Sequence, residues 1–253
     1  MLLAPAAAPA SFSAIVGPPR FELKAAPGGV LREALEIASD SLEFSDYALR
    51  TADWDLAADG SVVFGADALA PGSCRPWVRL ERRDLRLAPR SRRKFRFEVH
   101  VPADAPRGEC RFALLVEGKQ VTTSEGATIQ LPMQGRIAVI VYVSVGGARP
   151  SLEVRSLQVV TANGRPVPAI TVANTGSAHG RPEGTLEARD ADGKSLEFSV
   201  SPAPVLPGTT RTLPIWPNDG PDGKTPEFRY PLRLKGTVEW DGGRHAVDTV
   251  LRP

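Results

Sequence analysis

The stretch RKFRFEVHV, residues 93–101, sets Phe95, Phe97, Val99 and Val101 at alternate positions, with Arg96, Glu98 and His100 between them. A period of two is the mark of a β-strand with one face buried and the other in water. Pro102 has no amide to give a ladder and ends the strand. The turn-rich PADAPRGE then leads into a second apolar run, RFALLVE at 111–117. The same rhythm continues on either side. In the first half it marks RFELKA (20–25), PWVRLE (76–81), ATIQL (127–131) and RIAVIVYVSV (136–145). In the second half it marks SLEVRSLQVV (151–160), AITVAN (169–174), GTLEARD (184–190), SLEFSV (195–200), TRTLPIW (210–216), RYPLRLKGTVEW (229–240) and HAVDTVL (245–251).

Turn chemistry supports the strands. Asp59-Gly60, Asn163-Gly164, Asp192-Gly193 and Asp241-Gly242 fall between alternating runs, where tight hairpins need positive φ. One segment is ambiguous: in VLREALEIA, residues 30–38, Leu31, Ala34, Leu35 and Ala38 also fit one helical face, and we read it as a strand. The break is GGARP at 146–150, a Gly/Pro segment between two series of strands. The expected architecture is all-β, with two immunoglobulin-like β-sandwich domains in tandem over residues 15–147 and 148–253.

With 253 residues, 42% hydrophobic and 24% charged, the chain can bury a core and is not a disordered polymer. Its 23 glycines and 24 prolines follow no repeat period, so they read as turn punctuation. A formal charge of +2 is too small to argue by itself for nucleic acid or an anionic membrane. Residues 1–14 read as part of a signal peptide. LLAPAAAPASFSA (2–14) offers cleavage after Ala10 or after Ser13, although the basic segment that should precede it is missing. The alternative is a loose N-terminal tail. No later run is long enough to cross a membrane as a helix, so no transmembrane segment is expected. An even cysteine count, Cys74 and Cys110, in a chain read as exported favours a disulfide; two buried thiols in a reducing compartment are the alternative.

Catalytic signatures are absent: there is no GxSxG, GxxxxGK[ST] or HExxH, and no cysteine with a credible histidine partner, so no enzyme is expected. No metal or other cofactor is expected either. The three histidines lie far apart, and DADG at 190–193 lacks the remaining ligands of a calcium loop. His179 reads as a solvated imidazole. Between Arg75 and Arg96, ten cations face only Glu81 and Asp84. Phe95 and Phe97 alternate away from Arg96 into the core, so a base-stacking platform is missing and no nucleic-acid partner is expected. Solvated strand faces account for most of the cluster at residues 75–96, and an anionic partner is its functional reading.

The most informative strand is 136–145. Ile137, Val139, Val141, Val143 and Val145 share one face, while Ala138, Ile140 and Tyr142 share the other, so both faces are apolar where a sandwich normally buries one. Either a loop or neighbouring domain covers the second face, or the strand offers apolar side chains and a free edge to an incoming chain.

The series PPRFEL (18–23), CRPWVRL (74–80), LRLAPRSRRKFRFEVHVPADAPRGECRFALLVEG (85–118) and GRIAVIVYVSV (135–145) resembles the N-terminal domain of periplasmic pilus-assembly (fimbrial biogenesis) chaperones. The resemblance covers most of residues 15–147, while the C-terminal half fits as a generic immunoglobulin-like domain. It implies two such domains and a chaperone that lends a strand to a pilus or surface subunit by donor-strand complementation. Ile137, Val139, Val141 and Val143 then form the donated set. The family anchors a subunit's terminal carboxylate with two cations, to which Arg20 and Arg136 correspond. Arg136 stands where the family has lysine, and the cysteine pair is a further departure. The alternative function is a secreted or surface structural or adhesive module that binds an envelope protein or polysaccharide.

Overall fold

A computed structural model describes residues 12–253 except 58, 66, 120, 121, 124–131, 134, 163 and 221; at 122, 123, 132 and 133 it describes the backbone alone. The expected strand at 127–131 and the cleavage position after Ala10 lie outside the described residues. The chain divides into two compact units, one of Met1–Pro106 with Cys110–Gly146 and one of Arg107–Glu109 with Gly147–Pro253. Both are built from β-strands, as the alternating runs predict.

The first unit holds β1 (Ile15–Gly17), β2 (Arg20–Ala25), β3 (Val30–Ala38), β4 (Ser45–Ala52), β5 (Trp54–Leu56), β6 (Val62–Phe64), β7 (Val78–Leu80), β8 (Asp84–Leu87), β9 (Arg92–His100), β10 (Gly108–Gly118), β11 (Thr122–Thr123), β12 (Pro132–Met133) and β13 (Arg136–Val145). Two sheets, in the orders β1-β3-β9-β7 and β2-β13-β10-β4-β8, make the sandwich, and β5-β6 and β11-β12 are separate two-stranded pieces. Phe95, Phe97 and Val99 of β9 point inward opposite Leu35, Glu33 and Leu31 of β3, which settles the ambiguous segment 30–38 as a strand. They meet Phe112, Leu114 and Val116 of β10 and Val139, Val141 and Val143 of β13 in one core. Aromatic rings organise its centre: Phe97 packs edge-on against Phe21 and Phe112, with ring centres 5.3 and 6.5 Å away. The expected strand at 76–81 starts differently. Pro76 lies in a 3-10 turn, Arg75–Trp77, and only Val78–Leu80 joins the sheet.

The second unit holds β14 (Leu152–Ala162), β15 (Arg165–Asn174), β16 (Thr185–Arg189), β17 (Ser195–Val200), β18 (Thr210–Pro217), β19 (Leu232–Trp240) and β20 (Gly243–Leu251), in the order β14-β15-β18-β17-β16-β19-β20. Its end strands β14 and β20 lie against each other, so the sheet closes around a core of Ile170, Val172, Leu186, Phe198, Leu213, Ile215 and Leu234. Asp241-Gly242 makes the two-residue link between Trp240 and Gly243, and Gly242 supplies the positive φ of 89° that this turn needs. His179 departs from its expected solvated state, with a side chain only 9% exposed.

Candidate functional site

β13 is held differently along its length. Over Ile140–Val145 it pairs in parallel with Arg20–Ala25 of β2, and its other neighbour in the sheet is β10. Upstream of Ile140 the β2 ladder has ended, because the chain has left at Pro18 and Pro19 for β1 in the other sheet. The Arg136–Val139 segment therefore has a ladder partner on the β10 side and, among the described residues, an edge without ladder pairing on the side of β2, where β1 comes close to β13 without pairing with it. The Ile140 amide donates to the Pro19 carbonyl at 3.2 Å, so strand alternation turns the Ala138 amide toward the open edge.

The side chains of this strand need a correction. Val139, Val141 and Val143, expected to be offered to a partner, are fully buried in the unit's own core, and only Ile137 of that set is half-buried. A side chain that already fills one core cannot also fill a second groove. On the opposite face Ala138 and Ile140 are half-buried, while Tyr142 is covered by Trp54 of β5, packed edge-on with ring centres 5.4 Å apart. The second apolar face of β13 is thus in part covered from within the same unit.

Arg20 aligns with Ile140 and shares a sheet face with Arg136, but Arg136 lies four residues earlier, about 13 Å along the strand. Each arginine has its own carboxylate: Arg20 Nε bonds Glu22 at 2.9 Å, and Arg136 Nε bonds Glu117 at 2.6 Å. The structure does not assemble them into one anion site. Glu117 is the residue that sequence reasoning missed. It sits on β10 at 8% exposure and also accepts two bonds from Arg50 of β4, at 2.8 and 2.9 Å. Its signal was an acid at the end of RFALLVE, in register with the buried Ala113 and Leu115. An acid on such a face needs a cation.

The Arg50 hydrogen bonds hold the Glu117 carboxyl below the usual carboxylate range, against the opposing effect of burial, and the charges of Arg50 and Arg136 add to this. A depressed folded-state pKa gives stability that is present above the unfolded value, near 4.3, and is lost as pH falls through the folded one. Glu117→Gln is therefore expected to cost about 1–3 kcal/mol at pH 7. The difference in urea midpoint between this variant and wild type should shrink by pH 3. A gap that stays constant between the two pH values would show that the carboxylate's charge contributes nothing.

Cys74 and Cys110 form a disulfide, with Cα atoms 6.1 Å apart, as the even count favoured. The basic run at 75–96 is divided between the two sheets: Arg79 lies on β7 and Arg92, Lys94 and Arg96 lie on β9, while Arg86 lies on β8. Much of it is paired. Arg82 and Arg96 reach Glu81 at 3.3 and 3.7 Å, Arg86 reaches Asp46 at 3.9 Å, and Arg92 reaches Glu36 at 3.5 Å. Among the described residues, no cluster of acids, histidines and cysteines could hold a metal, and no helix is long and apolar enough to cross a membrane.

No protein-family model and no curated protein matches the chain. Solved structures of like fold include fimbrial chaperones. A structure of a chaperone–tip adhesin complex of CFA/I fimbriae biogenesis gives 11% identity over 96% of this chain and 100% of the matched one, with a TM-score of 0.50. The class 5 fimbriae chaperone CfaA is 12% identical over 95% of this chain and 99% of its own, with a TM-score of 0.49. The structure of the Salmonella enterica SafA pilin in complex with the SafB chaperone gives 17% identity over 96% of this chain and 99% of the matched one, with a TM-score of 0.48. At these identities the likeness extends to the fold.

Proposed function

We propose that the chain is a periplasmic chaperone that binds fimbrial or related surface subunits by strand addition, with no cofactor. The observation that carries this reading is the open edge of β13 over Arg136–Val139, next to half-buried Ile137, Ala138 and Ile140. A strand left without a neighbour presents unpaired amides and carbonyls, and a subunit strand in register satisfies them. In this reading residues 15–147 are the chaperone-type domain and 148–253 the second immunoglobulin-like domain. Ile137 contributes a side chain, whereas Val139, Val141 and Val143 lock the donor strand to its own core. Arg20 and Arg136 flank the edge, and a subunit's terminal carboxylate would displace Glu22 from the first or share the second with Glu117.

Export agrees with the disulfide, which needs an oxidising compartment to form. Of the two cleavage positions, the one after Ser13 fits poorly. Phe12 packs edge-on against Tyr47 and lies where a Cβ on Gly118 or Gly135 would stand, while Ser13 Oγ accepts the Asp40 amide at 3.2 Å. Processing after Ala10 leaves both residues in place.

One observation favours the second reading, a surface or structural module with the basic residues at 75–96 as its contact: β13 is flanked on both sides over Ile140–Val145. The Ala138→Pro variant separates the two. Proline removes the amide that faces the open edge and leaves the alternate amides toward β10 intact, and edge positions tolerate it. Tagged wild-type protein is expected to recover a small β-rich subunit from the periplasm of its host, and the variant at least about tenfold less, for a change in stability of roughly 1 kcal/mol. Equal recovery by both proteins, or no subunit with wild type, would sink strand addition and leave the module reading.

A further inference from the structure

At the other flank of the same sandwich, away from β13, a groove of about 890 Å³ opens between the end strand β7 of one sheet and the Leu49–Thr51 part of β4 in the other. β8 pairs with β4 only through Ser45–Ala48, so β4 is uncovered beyond that point, apart from the Leu49 amide bonding the Arg83 carbonyl at 2.8 Å. Leu49, Pro76, Val78 and Leu80 give the groove apolar walls, and Arg50, Arg75, Arg79 and Arg83 line it against one acid, Asp67.

These four guanidinium groups are not equivalent. Arg75 is fixed, with a side chain 15% exposed that bonds Thr51 Oγ1 at 3.3 Å, Asp53 Oδ2 at 3.4 Å and the Asp67 carbonyl at 3.1 Å. Arg50 is committed to Glu117 and Asp67. Arg79 and Arg83 are exposed and have no carboxylate partner among the described residues, unlike Arg82, Arg86, Arg92 and Arg96 of the same run. The backbone of β7 is also available. The Glu81 amide donates to Arg96 of β9 at 3.2 Å, so two-residue alternation turns the Arg79 amide toward β9 and the Leu80 amide and carbonyl toward the groove.

We propose that this groove binds a short extended segment of a partner protein in which carboxylate and apolar side chains alternate, added to the outer edge of β7. The edge pairs with the segment through the amide and carbonyl of Leu80. Its apolar side chains lie on Leu49, Val78 and Leu80, and its carboxylates take the two open guanidinium forks of Arg79 and Arg83, which match a carboxylate in bidentate geometry. β7 is about 10 Å long, which limits the segment to roughly three or four residues. A bare polyanion such as a phosphate chain would satisfy the cations but would leave the apolar walls and the Leu80 amide unused. The proposal does not rest on the β13 edge, and Ala138→Pro leaves the groove intact.

The test is binding of a fluorescent peptide alternating Val and Glu to the full chain, with the same peptide carrying Gln for Glu, and inorganic tripolyphosphate, as comparison probes. Saturable binding of the Glu peptide is expected, weakened at least about tenfold by Arg79→Glu/Arg83→Glu, by the Gln replacement and by raised salt, with slower exchange of the Leu80 amide when peptide is bound. Both arginines are exposed and have no carboxylate partner among the described residues, so the double variant is expected to keep the wild-type Tm. Should it misfold, the Gln peptide and the Leu80 exchange on wild type still decide. The proposal is overturned if the Glu peptide fails to bind, if the Gln peptide binds equally well, or if the double variant binds as wild type does. Tighter binding of tripolyphosphate than of peptide, lost in the double variant, would overturn it in favour of a polyanion site.

Discussion

Unfolding of a Cys74→Ala/Cys110→Ala variant is expected at a urea midpoint corresponding to about 3–4 kcal/mol less stability than wild type, concentrated in the first unit. The bond closes a loop of 36 residues, and the chain entropy removed from the unfolded state by a loop of that size has this magnitude. Its position matters as much as its length. Cys74 is fully buried just before the 3-10 turn that feeds β7, the end strand of one sheet, and Cys110 lies in β10, an inner strand of the other. The segment between them includes β7, β8 and β9, passes between the two sheets and carries Leu85, Leu87, Phe95, Phe97 and Val99 into the core, so the bond restrains the part of the chain on which the sandwich is built. Wild type in reductant is expected to fall to within about 1 kcal/mol of the double variant, because both lose the same restraint on the unfolded chain. If reductant and the double substitution leave the midpoint where it is, the bond contributes nothing.

What the sequence made legible was periodicity. The run 136–145 is β13 to the residue, 20–25 is β2 and 195–200 is β17, because strict alternation bounded by Pro, Gly or Asp leaves little choice. Strand β4 was missed although Tyr47 and Leu49 face the core at a spacing of two, since Ala48, Arg50 and Ala52 on its other face carry no strong β preference. Segments β5, β6 and β8 are too short to show a period. The candidate site failed in a more instructive way. Alternation tells which residues of β13 share a face but not which face is the core, and when both are apolar the local pattern has no vote. The choice was made by Phe97, Phe112 and Leu114 on one side and Trp54 on the other, all distant in sequence. The pairing of Arg136 with Glu117 was equally hidden, since the register between β13 and β10 brings them together and neither residue announces it.

The same distinction between faces predicts the largest single-residue contrast in the chain. Phe97→Ala is expected to cost about 3–5 kcal/mol, whereas Arg96→Ala, one position away, should stay within about 0.5 kcal/mol of wild type. Phe97 is 2% exposed, and it bridges Phe21 of β2 to Phe112 of β10, so its ring joins three strands across the two sheets. Truncation leaves a cavity walled by Phe21 and Phe112, whose rings are tied to separate strands and cannot both move in to fill it. The Arg96 side chain is 72% exposed and reaches Glu81 only at 3.7 Å, a surface pair of the kind that adds little. Phe21 follows Arg20 on the strand that pairs with β13. A looser Phe21 therefore loosens the β2 edge where the open segment of β13 begins, and Phe97→Ala should speed amide exchange at Ile140, whose amide bonds Pro19, more than at Ile170 in the second unit. Equal costs for the two substitutions would mean that β9 does not present Phe97 to the core. A large cost for Phe97→Ala with Ile140 exchange unchanged would uncouple the aromatic centre from the β13 edge.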